Sequence, residues 1–128
     1  MIYTLTTDVP IAQIQMEMDS KAKEFGFGVL HQYAFREILQ EKGYPIEKEI
    51  TVFELCNPEG AQRALTEIPE ISVFLPCRIS LYELEEKVML STIGFESLLS
   101  AIETDQALEH FMNTLYTKLK GLMQSWNV

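Results

Sequence analysis

The chain has 128 residues, 47% hydrophobic and 23% charged, which is enough apolar material to close one domain core and too much for a disordered or fibrous polypeptide. Its 16 Glu and 3 Asp outweigh 10 Lys plus Arg to give a net charge of −9, with no stretch that concentrates Lys and Arg, so the average field opposes a phosphate backbone and argues against nucleic acid as a partner. No apolar run approaches the ~20 residues of a membrane span, Met1-Ile2-Tyr3-Thr4-Leu5 lacks the regions of a secretory leader, and Cys56 and Cys77 read as reduced thiols, so no membrane is expected and the expected compartment is the cytoplasm.

Residues 2–6 alternate β-branched and aromatic types and predict a first strand. Asp8-Val9-Pro10 then starts a helix whose apolar face is Ile11, Ile14, Met18, Ala22 and Phe25, with Gly26 as its stop. Phe27 to Tyr33 predicts a second strand with Phe27, Val29, His31 and Tyr33 on one side, His31 being packed and hydrogen-bonded. A short helix from Phe35 to Lys42 is closed by Gly43, and residues 49–56 make a third strand. Asn57-Pro58-Glu59-Gly60 is a strong helix start: a preferred cap, a proline at the first position and an acid where the helix dipole favours one.

That helix ends at Pro69. From Ile71 through Val73, Leu75, Cys77 and Ile79 to Leu81 the period of two continues across Pro76, predicting one bent strand or two collinear halves. A hairpin at Glu83 to Lys87 leads to a strand at Val88 to Ile93, and a short helix follows near Phe95 to Ile102. A long amphipathic helix runs from a cap at Thr104 to Trp126; its broad stripe, with Met112, Met123 and Trp126 near one edge, serves the core and offers an excess to a second copy of the chain. The order predicts a single α+β domain over residues 1–128: a mixed, mainly antiparallel sheet with helices on one face.

Two turns carry the candidate chemistry, Cys56-Asn57-Pro58 and Leu75-Pro76-Cys77-Arg78. Cys56 stands at a strand end before a helix N-terminus, the setting that favours a thiolate, while Cys77 falls in register with aliphatic neighbours as a buried hydrophobe would. Arg78 shares the opposite strand face with Ser80 and Tyr82, ready for a carboxylate or phosphate ligand or for one of the many glutamates. Two cysteines 21 apart lack the paired spacing of a zinc site, so no metal and no cofactor are expected. His110 belongs to the polar face of the last helix.

The ordered set Glu24-Phe25-Gly26-Phe27-Gly28-Val29-Leu30, Glu54-Leu55-Cys56-Asn57-Pro58, Phe74-Leu75-Pro76-Cys77-Arg78 and Leu81-Tyr82-Glu83 resembles the domain-of-unknown-function family 302. The resemblance implies a two-layer α/β sandwich of TATA-binding-protein-like topology, commonly a homodimer, in small bacterial and archaeal cytosolic proteins sometimes encoded beside sulfur or redox metabolism. The segment 34–46 departs from the family in its larger share of apolar side chains. The function expected is a non-catalytic homodimer holding a small acidic or sulfur-containing metabolite near Cys56, Asn57, Cys77 and Arg78. The alternatives are a thiol-dependent redox or sulfur-handling protein using Cys56 and Cys77, and a structural partner protein.

Overall fold

In the computed structural model, which describes residues 1–127, five strands form one sheet: β1 (Ile2–Thr7), β2 (Gly28–Ala34), β3 (Ile50–Cys56), β4 (Cys77–Leu84) and β5 (Lys87–Ile93). The spatial order is β1-β5-β4-β3-β2 and every pairing is antiparallel, so the mixed sheet resolves into a fully antiparallel one. Strands β2 to β5 follow one another as a meander, and β1 closes the far edge by pairing with β5. The helices are α1 (Ile11–Glu24), α2 (Phe35–Glu41), α3 (Pro58–Glu67), α4 (Phe95–Ser100) and α5 (Gln106–Gln124).

Alternation along the strands sorts side chains onto two faces. Phe53 and Leu55 of β3, Ile79 and Leu81 of β4 and Val88 and Leu90 of β5 are buried beneath α1 and α5, while Ile50, Val52, Arg78, Ser80 and Tyr82 belong to the other face, which no long helix covers. Ile14, Met18 and Ala22 of α1 are fully buried, as the helical spacing requires. The helix stops where Gly26 takes φ +87°: Phe27 N–H donates to Ala22 O and Gly26 N–H to Lys23 O, the paired bonds of a Schellman end. Gly43 (φ +85°) ends α2 in the same way, through Tyr44 N–H to Leu39 O.

Three expectations are corrected. First, residues 69–74 form a 3₁₀ helix and not the first half of a long strand, which begins only at Cys77. Pro69 opens that helix, and burial of Ile71 and Phe74, with Val73 77% exposed, shows a period of three. Second, a bulge lies between Val29 and His31 in the pairing of β2 with β3. The extra residue turns His31 and Tyr33 to the open face, opposite Glu54 and Val52, so His31 is exposed and rests against the Tyr33 ring at 4.4 Å. Third, α5 is capped by Asp105, whose carboxylate accepts from Leu108 N–H at 2.7 Å, one residue beyond Thr104.

The apolar stripe of α5 is consumed within the chain: Met112, Met123 and Trp126 are all buried, which removes the excess expected to face a second copy. Trp126 ties the end of α5 to the rest of the fold. Its indole N–H donates to Glu17 at 2.9 Å, its carbonyl accepts from the Thr7 hydroxyl at 2.5 Å, and the Lys21 ammonium stands 4.6 Å above its ring. Among the described residues, no buried side-chain polar atom lacks a partner.

Candidate functional site

At the end of the sheet where β3 stops and β4 begins, the strand-to-helix turn at Cys56-Asn57 is fixed from two directions. The Asn57 side-chain oxygen accepts from Gly60 N–H at 2.7 Å and so caps α3, while its amide donates to Gly26 O at 2.8 Å, pinning the start of α3 to the turn between α1 and β2. Gly60 lies against α5, where a methyl group would collide with the Leu115 side chain. Ala64, one turn further along α3, is buried as well.

Between this corner and the 3₁₀ helix the structure leaves a cavity of about 290 Å³. Its walls are apolar: Phe27, Leu30, Leu55, Leu75, Met112 and Leu115 contribute most, and Asn57, Ser72 and the two thiols are the polar exceptions. Cys56 and Cys77 both line this one space. Cys77 is the neighbour of Leu55 across the β3–β4 pairing, one residue from Cys56.

Burial, followed by the charge a Cys56 thiolate would carry nearby, pushes the Cys77 thiol up to about 11 from 9.0. Its proton stays in place at neutral pH, and the side chain acts as a small polarizable wall.

Arg78 points the other way. Its guanidinium meets Glu54 at 3.1 Å, and Tyr33 donates to the second oxygen of the same carboxylate at 2.9 Å. That hydrogen bond, with burial and the Glu54 charge, raises the Tyr33 pKa above 10.0, and Arg78 opposes the rise. Thus Cys56, Asn57 and Cys77 come together, whereas Arg78 lines a separate recess on the open face. The apolar segment 34–46 lines neither space; α2 buries no residue and Tyr44 is exposed.

Phe95 and Leu115 line the cavity too, although the sequence places them only within the short helix and the long last helix. They arrive from elements distant in the chain, and no local pattern marks them. Among the described residues, no group of three His, Cys, Asp or Glu gathers as metal ligands, and no helix is long and apolar enough to cross a membrane.

The architecture and site define a class: an α+β two-layer sandwich with a thiol-bordered apolar cavity at one end of its sheet. The family described as "Domain of unknown function DUF302" matches residues 3–126, and the chain belongs to that family. It is similar to the crystal structure of an uncharacterized conserved DUF302 protein from Bacillus stearothermophilus, with 26% identity over 98% of this chain and 97% of that one and a TM-score of 0.88. No curated protein sequence matches it.

Proposed function

We propose that this protein is a non-catalytic binding module, acting as a cytoplasmic homodimer, that holds a small, mostly apolar molecule in the cavity beside Cys56 and Cys77. The observation that carries the reading is the cavity's lining, which offers aliphatic and aromatic surface, two soft sulfurs and the Asn57 and Ser72 side chains, but no cation. Of the two ligand classes expected, a sulfur-containing metabolite suits these walls, because a thioether gains dispersion and sulfur–aromatic contact there. An acidic one would bring an uncompensated charge into hydrocarbon. A thiol-dependent role would fall to Cys56 alone, since Cys77 keeps its proton.

A second copy of the chain has the open sheet face to cover, where Ile2 and Ile93 are exposed beside the half-buried Ile50 and Val52. Light scattering reads this directly: a dimer mass that falls to a monomer in Ile93→Asp supports it, and a monomer mass in the wild type refutes it.

Thermal shift with a panel of small dialkyl sulfides and small dicarboxylates tests the ligand. Sulfides should stabilise the wild type by about 2.7 kcal/mol at a hundredfold excess over Kd and have no effect on Ala61→Phe, which fills the cavity. Stabilisation by the dicarboxylates alone, lost in Arg78→Ala, would refute the apolar reading.

A further inference from the structure

A second hollow of about 370 Å³ opens directly beside the first, on the sheet face that a second copy of the chain would roof. Its floor comes from Ile2, Val52, Ser80 and Ser91 and its wall from Phe74, and it shares Pro76, Cys77 and Phe95 with the first cavity. The first space alone stands at the lower end of the roughly 300–1,000 Å³ usual for ligand sites. Only the Pro76–Cys77 stretch and the Phe95 ring separate the two.

Resting on the binding-module reading above, we infer that the two hollows are one bent site, and that its ligand is an unbranched aliphatic chain ending in an uncharged oxygen group. The bend selects the chain. A rigid ring system cannot straddle a single strand start, whereas a run of methylenes can lie against Leu55 and Met112, pass Cys77 and continue over Val52 on the far side.

Hydrogen bonding selects the end group. In the second hollow the Ser91 hydroxyl is engaged with Thr4 at 2.9 Å and the Thr92 hydroxyl with Arg78 O at 2.6 Å. The free donors are the Ser80 hydroxyl and the Arg78 N–H groups other than the one given to Glu54. A carboxylate placed on that guanidinium would stand beside the Glu54 carboxylate in a chain of net charge −9, and like charges so close repel. An alcohol, amide or ester oxygen accepts the same hydrogen bonds without that opposition.

A homologous series from butanol to decanol, with decanoate as the charged counterpart, tests this by calorimetric or thermal-shift titration of the intact protein. Affinity should climb about two- to fourfold per methylene through decanol. In Val52→Trp, which fills the second hollow, the climb should stop at a shorter chain while butanol binds as before, so retained butanol affinity reports an intact fold and first cavity. Arg78→Ala should weaken decanol about fivefold and leave butanol unchanged. The same plateau in wild type and Val52→Trp overturns the continuous site while sparing the binding module. Decanoate binding tighter than decanol overturns the uncharged end group. Failure of every alcohol to bind overturns the aliphatic chain, and failure of the dialkyl sulfides as well overturns the binding module itself.

Discussion

Successive residues of a strand point to opposite faces, and at the start of β4 that rule divides the candidate site: Cys77 enters the cavity, and Arg78 leaves it to meet Glu54. The raised Cys77 pKa has a consequence for stability. A thiol that titrates near 11 when folded and near 9.0 when unfolded keeps its proton in the native chain after the unfolded chain has begun to lose one. The stabilisation is therefore complete below pH 9 and is lost as the pH rises through 11. Urea unfolding at about pH 8 and about pH 10.5 should show a smaller alkaline loss in Cys77→Ala than in the wild type; equal losses would place the thiol in water. The two sulfurs, Asn57 and the Arg78–glutamate pairing were legible from strand period and capping preference. Phe95 and Leu115 were not, because a cavity wall built from separate elements leaves no mark on any one of them.

Among the elements, the β4–β5 hairpin is the least comfortable. Leu84 pairs with Lys87, so the chain reverses over Glu85 and Glu86, which take φ +52° and +69°. Two-residue hairpin turns of this hand favour Asn-Gly, and a left-handed backbone costs an ordinary residue about 1–2 kcal/mol. Both glutamates are exposed, so Glu85→Asn with Glu86→Gly loses no packing and thins an acidic tip that includes Glu83. The double variant should be more stable by about 1–2 kcal/mol in urea unfolding, and an unchanged midpoint would show that the turn carries no strain. The hairpin was visible in the sequence because charged residues interrupt two alternating runs. The 3₁₀ helix was hidden by coincidence, since apolar residues at 71, 73 and 75 satisfy a period of two whether or not a strand forms. The bulge after Val29 was invisible as well, for register is set by the partner strand and not by the segment that slips.

At the scale of the molecule, α5 is the long side of the core and Trp126 is its clasp. Replacing that ring with alanine should cost about 3–5 kcal/mol, a large share of the stability of any small domain. Trp126→Phe, which preserves most of the buried surface but leaves Glu17 without its indole donor, should cost about 1–2 kcal/mol. Chemical denaturation ranks the two, and equal losses would mean that the buried ring contributes nothing beyond its indole donor to Glu17. The layered architecture was readable because the periodicities of α1, β3 and α5 each name a buried face. Which strand neighbours which was beyond reach: β1 could have joined either edge of the meander.

The edge it did join shapes how the protein is made. Ile2 is paired with Ile93, so β1, made before the other four strands of the sheet, has no native neighbour until β5 has followed it. Throughout that interval its backbone amides and carbonyls are open to water and to other nascent chains. Completion of the sheet is thereby deferred until the last of its strands has been made.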